Sequence, residues 1–316
     1  MAEKAPFSLS GKTAIITGGG SGINFSFAKL LLEHNCNVVI GDLTLRPEAQ
    51  ALVDAHSSAT SSPRAIFVRT DVTKWPELDA LFTAAESCFQ TFDIVCPGAG
   101  VFEPHWSNFW IPPGAPASRD RVSGSADDGT GHYASLDINL VHPIRCTQLA
   151  LARWLNGEPK VSPANPKRVV HVSSVAGQVP GFSQPLYTAT KHALSGFIRS
   201  LGLLESEMGI RVNGVAPGII RTPLWTDHPE KLIMLDQERD EWVEPEEVAA
   251  AMLECVQSVD IGGGIVLEVG KGFTREVKSF NDPGPSGRGM QVSHREVLQQ
   301  EALTWLREDG WGISPT

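Results

Sequence analysis

The sequence is poor in basic residues and in long apolar runs. Lys and Arg number 26 against 36 Asp and Glu, which gives a formal net charge of −10. This acidic balance argues against nucleic acid or an anionic membrane surface as a main partner. No apolar run approaches the ~18 residues of a membrane span, and the start of the chain lacks the apolar core of a signal peptide. We therefore expect a cytoplasmic protein that binds neither nucleic acid nor membrane.

Cysteine and histidine are too few and too scattered for the usual structural sites. The five cysteines are widely spaced and contain no C-x-x-C pair, which predicts reduced thiols rather than a disulfide framework. The nine histidines show no spacing typical of metal ligands, so no metal is expected. Hydrophobic residues make up 41% of the 316 residues, which is enough for a large core.

Tyrosine is also scarce, and one of the only two, Tyr187, lies at i relative to Lys191 at i+4. These positions share a helix face, so the phenol and the ammonium are predicted to point into the same space. A nearby cation lowers a phenol pKa that starts near ~10, which suits a tyrosine to acid–base chemistry. Ser174 follows a predicted strand at 168–172 and is predicted to hold a substrate oxygen at the same point. An ordinary helix-surface contact is the alternative for the pair alone.

A glycine-rich turn near the amino terminus separates a predicted strand from a predicted helix. Residues 13–17 are a β-branched run, residues 18–22 contain four glycines, and an amphipathic pattern follows. This order is required by a dinucleotide fingerprint, because glycines let the backbone approach a pyrophosphate and the helix amino terminus offers free N–H groups. A plain glycine turn is the alternative.

Asp42 ends the next predicted strand, at residues 37–41. An acidic residue there is expected to accept hydrogen bonds from the adenosine ribose and to repel the extra phosphate of NADP. No Lys or Arg occurs between Asp42 and Arg46. We therefore predict NAD as the cofactor, with a helix or turn cap as the alternative role of Asp42.

In combination, these motifs resemble the short-chain dehydrogenase/reductase family, in its compact single-domain branch, over about residues 9–270. The resemblance implies that Tyr187 is the acid/base, that Lys191 tunes it and binds the nicotinamide ribose, and that Ser174 binds the substrate oxygen. It also implies that Asn139 holds a proton-relay water. The implied cofactor contacts are Gly18, Ser21, Gly22, Ile23, Asp42, Asp71, Val72, Gly98, Ala99, Gly100, Tyr187, Lys191, Pro217, Gly218, Ile220 and Thr222.

The sequence departs from the family pattern in three places. Asn24 stands where the fingerprint has its third glycine, which predicts a displaced helix or an additional hydrogen bond. Gly98 stands where the family has an asparagine. Residues 102–135 are longer than the family norm.

The long segment 103–134 is rich in Pro, Gly, Ser and Asp and is predicted to be a surface loop. Its tryptophans favour either a wall of the substrate pocket or a patch that packs on the flank of the domain. The predicted substrate contacts are Ser174, Gln184, Trp106 and Trp225, of which Gln184 rests on resemblance to an NAD-dependent branch of the family.

Strands alternate with helices along the chain, which predicts a doubly wound parallel sheet, or Rossmann fold. We expect about seven strands with helices on both faces and a site at the carboxyl ends of the strands. The predicted organisation is a dehydrogenase domain over 1–270, with a loop insertion near 103–134, and an extension over 271–316 with a short amphipathic helix. The resemblance implies a homodimer or homotetramer that pairs through helices near 140–155 and 193–204.

The predicted reaction is hydride transfer between NAD and a bulky, mostly apolar secondary alcohol or ketone, by a Ser-Tyr-Lys mechanism. An NADPH-dependent ketoreductase and a non-catalytic dinucleotide-binding protein are the alternatives. Epimerisation or dehydration would need a further acid/base residue, which the sequence does not identify.

Overall fold

A computed structural model describes residues 5–312 apart from 59, 61, 121–130, 229–231, 233–234, 237–238 and 279–294. Its strands are β1 (Thr13–Thr17), β2 (Asn37–Asp42), β3 (Ala65–Arg69), β4 (Ile94–Pro97), β5 (Lys167–Val172), β6 (Ile210–Pro217), β7 (Val266–Gly270) and β8 (Phe273–Glu276). They form one sheet in the order β3-β2-β1-β4-β5-β6-β7-β8. Strands β1 to β7 are parallel, and β8 pairs antiparallel with β7.

The helices connect the parallel strands and cover both faces of the sheet. They are α1 (Gly22–Glu33), α2 (Pro47–Ala55), α3 (Trp75–Phe89), α4 (Ala134–Leu136), α5 (His142–Asn156), α6 (Pro185–Ser200), α7 (Leu203–Met208), α8 (Pro223–Thr226), α9 (Pro245–Gln257) and α10 (Arg295–Arg307). A π-helical turn, Asp137–Val141, joins α4 to α5.

Two apolar clusters hold the layers together, one on each face of the sheet. Ile16 belongs to the cluster that contains α1 and α9, and Ile15 to the cluster that contains α3 and α5. Successive residues of a strand point to opposite faces, so a β-branched run such as β1 is buried on both sides. This is the signature of a parallel strand covered by helices.

The doubly wound α/β fold predicted from the sequence is confirmed, with eight strands instead of about seven. The additional strand, β8, turns back from β7 through Gly272, whose φ is +71°. All four β8 residues are exposed, and Arg275 pairs with Glu268 on β7. An exposed strand has no buried apolar face, which explains why its pattern did not predict it.

The predicted amphipathic helix near 293–308 is α10, and its carboxyl-terminal half packs on the domain. Leu303 is 3% exposed and joins the cluster that contains α3 and α5. The side chain of Asn156 on α5 donates to the carbonyl of Trp311 and accepts from the amide of Gly310, each at 2.8 Å. The division of the chain at residue 270 stays a prediction. Within the described residues, no helix has the length and apolarity to cross a bilayer.

Candidate active site

A cavity of about 490 Å³ lies at the carboxyl ends of the parallel strands and gathers the predicted motifs. All sixteen predicted cofactor contacts line it, together with Ser174, Gln184 and Trp225. Residues far apart in sequence meet here because the carboxyl ends of parallel strands share one edge of the sheet. Asn139 and Trp106 are the two predicted site residues outside the lining.

The glycine turn is shaped for close approach of a ligand. Gly18 has φ of +71° and Gly22 has φ of +59°. A Cβ on Gly18 would lie 2.6 Å from Cα of Ala99, and one on Gly22 would lie 3.2 Å from Thr222. Ser21, the N-cap of α1, makes no side-chain cap bond, so its own side chain does not occupy the N–H groups of the first turn. These residues fit the phosphates of a dinucleotide.

Asp42 has the turn-capping role that the sequence left open, and its role toward a ribose stays a prediction. Its carboxylate accepts from the amides of Gly20 at 2.8 Å and Leu43 at 2.7 Å, and it also lines the cavity. Burial raises the pKa of Asp42, and these backbone hydrogen bonds oppose the rise. A carboxylate has about four acceptor positions, so capacity remains for ribose hydroxyls. Arg46 is ion-paired with Asp227.

Helix α6 carries Tyr187 in its first turn and Lys191 in its second. The Lys191 Nζ lies 5.4 Å from the centroid of the Tyr187 ring and donates to the carbonyl of Val172 at 2.8 Å. The side chain of Ser174, which follows β5, is near enough to the Tyr187 hydroxyl to lower its pKa. The structure thus places the three predicted catalytic side chains around one point.

The pKa values of this group differ from the expectation based on charge alone. Burial raises the pKa of Tyr187, and the side chain of Ser174 only opposes the rise. Burial also lowers the pKa of Lys191 to about 8. The sequence predicted a lowered phenol pKa, but in the folded chain burial is the largest influence on the pKa of Tyr187 and raises it. At neutral pH Tyr187 is a neutral acid with a proton to give.

The wall beyond Tyr187 is aromatic. The Phe102 ring lies 4.8 Å from the Tyr187 ring and 5.3 Å from the Trp225 ring, between centroids. Gln184 also lines the cavity. The space is therefore suited to an apolar molecule with an oxygen that reaches Tyr187.

In the described part of the loop over 103–134, Trp106 does not line the cavity, although the sequence predicted it as a substrate contact. The guanidinium carbon of Arg119 lies 5.2 Å from the centroid of the Trp106 ring, a contact within the loop itself. Trp110 instead packs on Phe182, with ring centroids 4.7 Å apart. Both of these residues are exposed. A tryptophan in a loop predicts packing, but the packing partner depends on the path of the loop.

Comparison with known proteins agrees with the fold. A sequence model described as short chain dehydrogenase matches residues 12–232. The chain belongs to this family. It is 31% identical to a cis-4-hydroxycyclohexanecarboxylate dehydrogenase of Sinomonas cyclohexanicum, over 83% of this chain and 96% of the relative. It is 28% identical to the 15-hydroxyprostaglandin dehydrogenase [NAD(+)] of Rattus norvegicus, over 68% and 71% of the two chains.

Solved structures show the same fold. The chain superimposes on a 3-ketoacyl-(acyl-carrier-protein) reductase from Brucella melitensis, complexed with NADH, with a TM-score of 0.63 and 24% identity. The match covers 84% of this chain and 99% of that chain. As a short-chain dehydrogenase, the protein is an oxidoreductase that binds a nicotinamide dinucleotide.

Asn139, the family's water-holding position, has a structural task in this short-chain dehydrogenase. It lies in the π-helical turn, is 1% exposed, and exchanges two hydrogen bonds of 2.8 Å with the backbone of Val101. A Cβ on Gly100 would lie 3.3 Å from the Asn139 Oδ1 and 4.0 Å from the Lys191 Nζ. Asn139 is therefore close to Lys191. Its side-chain amide is hydrogen-bonded to the backbone of Val101, which follows β4. Its role toward a water stays a prediction.

One residue near the site was missed from the sequence. Glu103 is 4% exposed, and its carboxylate accepts from the amide of Tyr187 at 2.8 Å. Burial raises the pKa of Glu103, and its backbone hydrogen bonds oppose the rise. No periodicity or spacing marks such a residue, because its partner is far away along the chain.

Proposed function

We propose that the protein is an NAD-dependent dehydrogenase that interconverts a bulky, mostly apolar secondary alcohol and its ketone. The observation that supports this most directly is the meeting of Ser174, Tyr187 and Lys191 at the aromatic end of a dinucleotide-shaped cavity.

Each of these three side chains has a definite task in the proposed reaction. A bound nicotinamide supplies the hydride chemistry and, when oxidised, a positive charge. Tyr187 gives its proton to the substrate oxygen during reduction and takes the alcohol proton during oxidation. Ser174 holds the same oxygen, and Lys191 carries a positive charge beside the phenol below its pKa of about 8. Gln184 contacts the hydroxyl-bearing end of the substrate.

The choice of NAD rests on Asp42. A partly buried carboxylate at the end of β2 repels a second phosphate on the ribose, and the cation nearest in sequence, Arg46, is paired with Asp227. A relative named for NAD(+) and a neighbour structure complexed with NADH agree with this choice.

The substrate class rests on the aromatic wall formed by Phe102 and Trp225. Relatives include a cyclohexane-ring dehydrogenase and a hydroxynaphthalene reductase-like protein of Metarhizium guizhouense, 30% identical over 71% of this chain and 73% of the relative. Ring alcohols and lipid alcohols are the compounds to test first.

A panel of hydrophobic secondary alcohols with NAD, followed by the absorbance of the reduced cofactor, tests the proposal. We expect turnover that Tyr187→Phe abolishes, since the variant has no proton to exchange. Full turnover by that variant would overturn the mechanism. Turnover only with NADPH and ketones would favour the ketoreductase alternative. Cofactor binding without turnover on any ring or lipid alcohol or its ketone would favour the non-catalytic alternative.

We also propose a cytoplasmic homodimer or homotetramer. Ala193, Gly196 and Ser200 form an exposed line on α6, whereas Gly312 packs against Ala152 on α5. Pairing through α6 is therefore favoured over pairing through the end of α5. Light scattering after size-exclusion chromatography measures the mass, and a monomer would contradict the proposal.

A further inference from the structure

Glu103 has an unusual backbone and an unusual environment for a glutamate. Its φ is +35°, one of only three positive values among the non-glycine residues of the described chain. It is 4% exposed and directly follows Phe102, whose ring packs on Tyr187. A non-glycine residue keeps such a conformation only where its surroundings determine it.

The surroundings of Glu103 are backbone N–H groups from two separate segments. Its Oε2 accepts from the amide of Tyr187 at 2.8 Å, and its Oε1 accepts from the amide of Phe109 at 3.1 Å. The backbone of Leu186 also lowers the pKa of this carboxylate. Tyr187 and Leu186 belong to the first turn of α6, where amides lack partners within the helix. The carboxylate therefore caps the helix that carries Tyr187, but from a distant loop rather than from the residue before the helix.

The loop that Glu103 begins makes a second contact with the same region. The indole N–H of Trp110 donates to the carbonyl of Phe182 at 3.0 Å. Asn108 stabilises the loop internally, since its side chain donates to the carbonyl of Glu103 at 3.3 Å. Residues 103–111 thus form hydrogen bonds with both the first turn of α6 and the segment before it.

We propose that Glu103 is a positioning residue that fixes the phenol of Tyr187 against Ser174 by clamping the first turn of α6. This proposal rests on the proposed function, because it assigns importance to the place of the Tyr187 hydroxyl. A displacement of about 1 Å at a reacting group costs on the order of a hundredfold in rate. The long loop after Gly100 therefore positions the acid/base residue Tyr187, although its Trp106 does not line the cavity.

The charge state and length of the side chain both matter to this role. A glutamine in place of Glu103 has one acceptor oxygen, and its NH₂ group faces an N–H group at the other end of the bridge. An aspartate keeps two acceptors but is one methylene shorter and does not span both segments. We expect kcat to fall at least about tenfold in Glu103→Gln and by less in Glu103→Asp.

A matched control is available at Glu247, whose carboxylate accepts from the amides of Glu244 and Gly272 at one end of α9. Glu247→Gln removes a carboxylate that accepts backbone N–H groups, and with it the ion pair to Lys271, at a place away from the cavity. Both glutamine variants are expected to unfold at lower temperature, but only Glu103→Gln loses kcat. The KM for NAD and the fluorescence-measured affinity for NADH are expected to stay within about twofold of the wild type in both, since neither residue lines the cavity.

A spectroscopic measurement separates position from stability. Tyr133→Phe leaves Tyr187 as the only tyrosine, so the NMR spectrum of protein with ¹³C-labelled tyrosine reports the surroundings of that phenol. We expect Glu103→Gln to change this spectrum in that background and Glu247→Gln to leave it unchanged.

The outcomes distinguish this proposal from the proposed function. Wild-type kcat in Glu103→Gln, or an equal loss of kcat in the control, overturns the positioning role alone. Turnover that survives Tyr187→Phe overturns both. If Glu103→Gln does not fold, Glu103→Asp is assayed in its place. Failure of both variants to fold would assign Glu103 to the stability of the domain and overturn the positioning role.

Discussion

The side chain of Asn24 occupies the space that any side chain at Gly98 would need. A Cβ on Gly98 would lie 2.5 Å from the Asn24 Nδ2, and one on Gly18 would lie 3.0 Å from the same atom. Asn24 is 7% exposed and accepts a long hydrogen bond from the thiol of Cys96 at 3.8 Å. We infer that the two departures from the family pattern are one exchange, in which the Asn24 amide fills the space of a side chain at position 98.

This exchange predicts strong coupling between the two positions. Gly98→Asn alone forces a second side chain into a filled space and is expected to cost about 1–3 kcal/mol of unfolding free energy. Asn24→Gly alone leaves that space empty. The double variant restores one amide, so its loss should be smaller than the sum by at least about 1 kcal/mol. Urea unfolding of the four proteins measures this, and additive losses would contradict the exchange.

Titration of Tyr187 tests the effect of burial on the phenol. Burial raises the pKa of Tyr187 despite the opposing effect of Ser174. In Tyr133→Phe protein, tyrosinate absorbance is expected to give a midpoint above the ordinary value of ~10. Saturation with NAD is expected to lower that midpoint, because a positive charge favours the phenolate. A midpoint at or below the ordinary value in the free protein would show that Lys191 dominates over burial.

Lys191 predicts a pH dependence of stability. Its pKa in the folded chain is about 8, against an ordinary value of 10.5. The unfolded chain therefore binds more protons between these two pH values, and the unfolding free energy contributed by Lys191 rises with pH across that window. The gain is about 3 kcal/mol, and Lys191→Met lacks it. Denaturant unfolding of both proteins from pH 8 to 10 is the measurement, and parallel curves would contradict the shift.

Asp42 predicts the cofactor preference. Asp42→Asn keeps an acceptor for the amide of Gly20 but removes the charge that repels a second phosphate. The affinity for NADP relative to NAD should rise at least about tenfold, as measured by fluorescence titration. Asp227→Asn releases Arg46 from its ion pair and is expected to act in the same direction, more weakly because the pair is exposed. An unchanged ratio in Asp42→Asn would remove the basis for the choice of NAD.

Two tryptophans provide a matched test of the substrate wall. Trp225 lines the cavity and Trp106 does not. Trp225→Ala should raise the KM for an apolar alcohol about tenfold, because loss of an apolar contact costs ~1–3 kcal/mol. Trp106→Ala should leave that KM within about twofold. An equal rise in both variants would show that the wall extends into the loop after Phe102.

The sequence predicted what depends on local pattern and missed what depends on distant contact. The β-branched run of β1 and the glycine turn fix their own conformations, and the i to i+4 spacing fixes Tyr187 and Lys191 on one helix. The partners of Glu103 and Trp106, by contrast, are set by the path of an irregular loop. The raised pKa of Tyr187 also could not be predicted from the sequence, because desolvation depends on how many atoms the fold places around the phenol.

The packing of α10 has a consequence for biosynthesis. Leu303 and Gly312 lie against the layer that contains α5, although they leave the ribosome long after that helix. Until they emerge, the nascent chain exposes an apolar surface around Ala152. Exposed apolar surface of this kind recruits chaperones or drives aggregation. The covering of this face of α5 therefore waits until α10 has been translated.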